Sequence, residues 1–261
     1  MRLRLLAVGA AAGVLGGLLG IGGGIIIVPG LIWAAGLDRH TASGTSLLTI
    51  LPIAVVAALT YAFAPGGAFE LEASAIFVGG SLAGAILGAR VNAHVSERAL
   101  RIAMAIISGV FGLRLVIPLG FGAGAEELGL DALTVVLLVF LGLQGGFLSG
   151  LLGVGGGAIA IAVMVIVTGT SQVLAQGIAL AATIPTVIVG ALAHRRQGSL
   201  APREGTVAGL AGAATAVPGA LIAFAVPVET LRTLFGVFML LMSARMFHAL
   251  QQTRTVEAPP P

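Results

Sequence analysis

From Leu5 to Gly36 the chain carries no charge, and a cluster of glycines, Gly20-Ile21-Gly22-Gly23-Gly24, sits in the middle of that run. A helix crosses the hydrocarbon core of a bilayer in ~20 residues, so the run is too long for one plain span. Glycine is a poor helix residue that readily takes left-handed backbone, so the cluster is where a helix breaks. Ile25, Ile26, Ile27, Val28 and Pro29 follow at once. The same words recur as Gly153-Val154-Gly155-Gly156-Gly157 inside a second apolar run. Broken intramembrane helices at corresponding places in two halves of a chain point to a transporter's binding site.

Composition agrees. Of 261 residues 58% are hydrophobic and 9% charged, and mean hydropathy is +1.12. Apolar runs long enough to span a bilayer recur, which reads as an all-α polytopic membrane protein with the lipid bilayer as its partner. Forty glycines fit helices packed backbone to backbone. The net charge of +3 comes from loop arginines and carries no nucleic-acid reading. Without a cysteine there is no disulfide frame, thiol catalyst or zinc knuckle. The start, Met1-Arg2-Leu3-Arg4 before an apolar run, could pass for a signal peptide. Its glycine-rich sequence is copied in the second half, around Gly150, so it is read as mature structure.

Helices are expected over Leu5–Leu19 and Ile25–Gly36, ~22 Å and ~18 Å long, both short of a ~30 Å core. A re-entrant hairpin with glycines at its tip follows. Asp38 reads as an N-cap for a span from Thr41 to Ala64, and further spans run from Ala73 to Val95 and from Ser96-Glu97 to Pro118. The second half repeats the order: Ala132–Leu152, Ala158–Thr168, Ser171–His194, Glu204–Val226 and Val228–Leu250. The organisation is therefore a first membrane repeat over 1–118, an acidic glycine-rich linker over 119–130, a second repeat over 131–250 and a disordered proline-rich tail over 251–261. The first helix of the second copy is ~31 Å long, so five full crossings per half is the alternative to a hairpin plus three.

Sliding the halves so that Gly17 falls on Gly150 superposes Leu18, Leu19, Gly20 and Gly22–Gly24 on the stretch from Leu151 to Gly157. The same shift pairs Gly44 with Gly177 and Pro52 with Pro185. Beyond one loop the shift shortens slightly, pairing Gly88 with Gly219, Arg101 with Arg232 and Arg114 with Arg245. Arg2, Arg4, Arg90, Arg98 and Arg101 mark inside segments, and Glu70, Glu72 and the acidic linker mark outside ones. Arg195, Arg196, Arg203 and Arg254 are inside again. Both termini are then cytoplasmic, and the Gly67 loop and its copy at Gln197 fall on opposite faces. The repeats are expected to be inverted.

A hairpin tip at mid-depth starts a helix inside the membrane, where free N–H groups and the positive dipole end suit an anion. Gly22, Gly23, Gly24, Gly155, Gly156 and Gly157 are the candidate contacts, because glycine lets backbone approach a ligand. The competing reading is helix packing, since Gly13, Gly17, Gly20 and Gly24 also fit a small-residue stripe. Ser43, Gly44, Thr45, Ser46 and Thr49 open the next span; such hydroxyls either cap a helix or meet a ligand. Pro52 and Pro185 each release a carbonyl one turn earlier. Gln176 and Gly177 stand where Ser43 and Gly44 stand in the first copy. Arg114 and Arg245 read as snorkelling to the interface, and Tyr61 and its counterpart His194 as interfacial. No phosphate loop, catalytic triad or metal-ligand spacing is present, so no cofactor, metal or enzyme activity is expected. No Asp or Glu lies deep in an expected span, which argues against a carboxylate proton relay.

With both copies in view, the chain resembles the sulfite exporter TauE/SafE family of membrane transporters, of the toluene-sulfonate uptake permease superfamily. The carrying residues are Gly16-Gly17-Leu18-Leu19-Gly20-Ile21-Gly22-Gly23-Gly24 with Val28-Pro29, then Ala42-Ser43-Gly44-Thr45-Ser46-Leu47. In the second half they are Ser149-Gly150-Leu151-Leu152-Gly153-Val154-Gly155-Gly156-Gly157. The resemblance covers Leu5 to Leu250. It implies a bacterial inner-membrane exporter of a small sulfur-containing anion such as sulfite or sulfoacetate. The second copy departs from the pattern, with Gln176-Gly177-Ile178-Ala179-Leu180 in place of the hydroxyl-rich Ser43-Gly44-Thr45-Ser46-Leu47.

The expected function is export of that anion by alternating access; the alternative is a passive anion or weak-acid channel. A homo-oligomeric assembly is compatible with the sequence.

Overall fold

The computed structural model describes residues 1–91, 97–117, 125, 127–152 and 157–256. The expected features at Ser96, Pro118, Glu126, Gly153–Gly156 and the terminal prolines lie outside the described residues. Among the described residues ten helices run in order: α1 Arg2–Leu19, α2 Gly24–Ala35, α3 Arg39–Phe63, α4 Leu71–Val91, α5 Glu97–Val116, α6 Ala132–Leu152, α7 Gly157–Thr168, α8 Gln172–Arg196, α9 Pro202–Ala225 and α10 Val228–Val256. Seven of these are long and apolar enough to cross a membrane. The helices α2 and α7 have 12 residues each, ~18 Å against a ~30 Å core.

Local chemistry sets the helix ends. Asp38 caps α3, its Oδ1 accepting from the backbone N–H groups of His40 at 2.9 Å and Thr41 at 3.1 Å. Hydrogen bonds from the Thr41 side chain and backbone, then from the His40 backbone, hold the Asp38 carboxyl below its ordinary pKa. Ser171, the counterpart of Asp38, caps α8 by accepting from Leu174 N–H at 3.2 Å. Proline at the first helical position opens α9. The helix α10 continues to Val256, past the Gln251 boundary expected for a disordered tail. Gln251, Gln252, Thr253 and Arg254 contain no helix breaker, and the prolines come only later.

The halves pack by exchange. The first helix of each half lies on the fourth of the other, α1 on α9 and α6 on α4. The third helices pair, α3 on α8, and so do the fifth, α5 on α10. Glycine makes the close seams possible. A Cβ on Gly9 or Gly13 would strike the carbonyl of Ala208 or Gly212, and one on Gly142 or Gly146 would strike that of Phe77 or Ser81. Likewise Gly219 lies on the Val14 carbonyl and Gly88 on that of Phe147. The two shifts that align the halves in sequence carry each of these contacts onto its partner. Large apolar side chains also face outward: Leu133, Val136, Phe140, Leu210 and Leu241 are all strongly exposed. In a bilayer this outer belt meets lipid rather than water.

Loops gather at two ends. At one, Glu70 Oε1 accepts from Leu128 N–H at 2.6 Å, and Ala125 exchanges backbone hydrogen bonds with Gly169 at 3.0 Å and Ser171 at 2.9 Å. Glu127 and Asp131 belong to the same loops, and Glu72 lies in the first turn of α4 beside them. At the other, the Arg4 guanidinium lies 5.1 Å from the Trp33 ring, and the His40 and His194 rings are 5.1 Å apart. Arg2, Arg39, Arg195, Arg196 and Arg203 belong to this second end.

Candidate functional site

The first hairpin forms because Gly20, Gly22 and Gly23 have φ of 70°, 68° and 75°, a left-handed turn open to glycine at little cost. The chain then doubles back. A Cβ on Gly23 would meet the Ala12 carbonyl, and one on Gly30 the Val8 side chain, so α2 returns along α1. Arg4 over Trp33 closes the open end. Both outer ends of this hairpin therefore lie at the arginine-rich end, and the tip lies within the bundle.

Two helices hold the tip. A Cβ on Gly22 would sit 2.8 Å from Ile50 Cγ2 of α3 and 3.4 Å from Thr183 Cγ2 of α8. One on Gly20 would sit 2.5 Å from Gln176 Cβ and 2.7 Å from its Cγ. The Tyr61 hydroxyl completes the contact, 2.9 Å from the Gly17 carbonyl and 2.7 Å from Gln176 Oε1. Tyr61 is 1% exposed, and its ring meets Phe224 edge-on at 4.8 Å. The expectation of an interfacial Tyr61 is therefore corrected: its hydroxyl finds two buried oxygens and has no need of the headgroup region.

Gln176 is 0% exposed, and its Nε2 has no hydrogen-bond partner. One turn earlier Gln172 is also 0% exposed, with neither Nε2 nor Oε1 partnered. Thr183 and Thr186 continue the same face of α8, each bonded back to a carbonyl of its own helix at 2.9 to 3.0 Å. Tyr61, Gln172 and Thr183 were not among the expected site residues. The available signal was a helical stripe of polar residues at 172, 176, 183 and 186 in an apolar span.

The other expected residues divide. Gly24 is buried at the start of α2, and Gly157 opens α7, where among the described residues a Cβ would find only Ala179 Cβ, at 3.8 Å. Gly155 and Gly156 lie outside the described residues. Thr45 and Thr49 are committed to the α3–α9 seam. Thr45 Oγ1 accepts from Ala201 N–H at 2.9 Å, and Thr49 Oγ1 lies 3.2 Å from the carbonyls of both Thr45 and Gly205. Pro52 packs there as well, against Gly209. Ser46 is 0% exposed and donates to the Ser43 carbonyl at 2.6 Å. It lies one turn before Ile50, on the side of α3 that borders the tip. Gly44 packs under the Ser199 carbonyl and the His194 ring, and Gly177 under the Ala68 carbonyl and the Tyr61 ring. These two glycines let loops cross α3 and α8. Pro185 is half-buried within α8.

Among the described residues no Asp or Glu is buried, and no group of three or more His, Cys, Asp or Glu could hold a metal ion. The tip can therefore offer amide, hydroxyl and backbone hydrogen bonds from the residues described around it.

Comparison with known proteins agrees with this architecture. The family described as sulfite exporter TauE/SafE matches residues 1–115 and 138–261. A protein of Bacillus subtilis (strain 168) named "Probable membrane transporter protein YunE" is 27% identical over 183 residues, which is 62% of this chain and 66% of that relative. The match thus spans just under two thirds of the relative's length. With a matching family profile over nearly the whole chain and seven helices able to cross a membrane among the described residues, the chain belongs to the sulfite exporter TauE/SafE family of membrane transporters.

Proposed function

We propose that the chain exports a small sulfur-containing oxyanion, sulfite or an organosulfonate such as sulfoacetate, across the bacterial inner membrane by alternating access. The observation that carries this reading is the pair of half-length helices beginning inside the bundle. The helix α2 starts from a tip wedged between Ile50 of α3 and Thr183 of α8, and α7 starts beside Ala179 of α8. Helix N-termini present free N–H groups and a positive dipole end to an anion. The shift that lays Gly24 on Gly157 also lays Ser46 on Ala179. Ser46 is thus the hydroxyl assigned to the α2 N-terminus, and Gln176 supplies an unpartnered amide nitrogen beside Gly20.

The exchange packing and the two loop ends support inverted repeats. The first hairpin opens toward the arginine-rich end; the second, α6 with α7, begins and ends among the acidic loops at Asp131 and Gly169. With positive loops inside, both termini are cytoplasmic. The substrate's own charge supplies the drive, since an inside-negative potential of about 100 mV contributes ~2.3 kcal/mol per charge to export. No buried carboxylate is needed.

Proteoliposomes holding the purified chain and loaded with sulfite, thiosulfate or an organosulfonate test this. Saturable efflux, accelerated by substrate on the far side and by a potential of the right sign, is the expected result. Unitary currents without counter-stimulation would instead make the protein a passive anion or weak-acid channel. No flux of any sulfur oxyanion would overturn the substrate class.

A further inference from the structure

Gln172 and Gln176 stand one turn apart on α8, which brings their Cβ atoms to ~5–6 Å on one helix face. Both side chains are 0% exposed, and three of their four amide heavy atoms, Gln172 Nε2, Gln172 Oε1 and Gln176 Nε2, have no partner. Buried polar groups in folded proteins are almost always hydrogen-bonded, and each exception calls for an explanation in water, an ion, strain or a function. Two adjacent exceptions on one face of an apolar helix make a polar site able to take hydrogen-bonding atoms.

Its place in the fold says which atoms. Gln176 touches the hairpin tip at Gly20, and Thr183, farther along the same face, borders Gly22. Gln172 is the first residue of α8, next to Ser171, whose N–H bonds the Ala125 carbonyl at 2.9 Å under the acidic loops. The pair therefore joins the tip to the acidic end. The first-half counterpart of Gln172 is Arg39, which is exposed at the opposite, arginine-rich end.

We propose, resting on the anion-carrier reading above, that Gln172 and Gln176 form an outer oxyanion station through which the substrate leaves. Each carboxamide brings two N–H donors and no net charge. Arginines gather the anion at the cytoplasmic end, and the two carboxamides offer it donors near the exit without adding charge there. Gln172 is a substrate-contact residue in this account, and its amide has no structural bond to lose.

The test is thermal unfolding of the purified full-length chain, titrated with sulfite, thiosulfate and methanesulfonate, for wild type, Gln172→Met and Gln172→Glu. A ligand that binds only the folded state raises Tm with its concentration. The expected wild-type result is such a rise. Gln172→Met, close to the same size but without the amide, should match or exceed the wild-type Tm without anion, because it removes an unpaired polar group. Its half-effect anion concentration should rise by roughly 10-fold or more. Gln172→Glu, which places an acceptor-only carboxylate at the station, should lose the anion response. An unchanged half-effect concentration in Gln172→Met would overturn the proposal. So would a Gln172→Met chain that is destabilised or unfolded without anion, since the amide would then be structural. If no anion stabilises the wild type, the anion-carrier reading fails first, and that outcome is distinct from a response the variants share.

Discussion

Tyr61 and Gln176 meet at 2.7 Å across 115 positions of sequence, joining the third helix of one half to the third helix of the other at the tip of the first hairpin. Their counterparts do not repeat the bond in the same form. His194, which aligns with Tyr61, instead has its Nδ1 3.0 Å from Ser199 Oγ in the loop beyond its own helix. The two halves share a backbone plan, and their polar chemistry at the centre differs.

Tyr61→Phe keeps the ring against Phe224 and removes the hydroxyl that bridges the Gly17 carbonyl and Gln176. The hydroxyl has one proton to give, and leaving a buried acceptor without its donor costs about 1–3 kcal/mol, so denaturant unfolding in detergent should show a loss of that size. Gln176→Leu combined with Tyr61→Phe should cost less than the two single losses added, because Gln176 Oε1 is then no longer left buried without its donor. Additive losses would mean that the hydroxyl and the amide act independently.

Glycines of the two kinds separate experimentally. A Cβ on Gly13 would strike the Gly212 carbonyl of α9, whereas one on Gly157 meets, among the described residues, only Ala179 Cβ at 3.8 Å. Gly13→Leu should therefore fail to give folded protein. Gly157→Leu should fold, with helix propensity about 1 kcal/mol in its favour, yet lose transport because its side chain fills the space in front of α7. Normal flux in folded Gly157→Leu would make that glycine irrelevant to the path.

The hydroxyls of α3 also divide. Thr45→Val removes the acceptor of Ala201 N–H and should destabilise the protein by about 1–3 kcal/mol with half-saturation for sulfite unchanged. Ser46→Ala should do the reverse. A hydrogen bond to a charged ligand contributes ~1.5–3 kcal/mol, so its half-saturating concentration should rise roughly 10- to 150-fold. Substrate titration of both variants in proteoliposomes decides between a Ser46 that contacts the anion and one that only packs.

Much of this architecture was legible because the bilayer enforces it. Uncharged run lengths, the glycine clusters and the repeat of one half in the other lead to helices whose bounds fall close to those expected; α6 from Ala132 to Leu152 coincides. Asp38 was readable as a cap because an Asp ahead of a helical run has few other uses. The site was less legible. Thr45 and Thr49 resemble ligand hydroxyls in sequence, and only the crossing of α9 at Gly205 and Ala201 commits them to packing. Tyr61 lies near a helix end, where an aromatic residue reads as interfacial, and nothing local announces that Gly17 and Gln176 come to meet it. Gln172 was overlooked because its significance lies in lacking a partner, which no sequence pattern encodes.

The central proposal is that the two halves are inverted copies, and single-cysteine labelling tests it most directly. The chain has no native cysteine, so one introduced thiol is the only reactive site. Gly67 is a poor position, since a Cβ there would strike the Tyr61 carbonyl; Glu72 and Gln197 are exposed at the two loop ends. In sealed right-side-out vesicles an impermeant maleimide should label Glu72→Cys, and Gln197→Cys should react only after the membrane is opened. Labelling of both from the same face would contradict the inverted arrangement and the alternating-access account built on it.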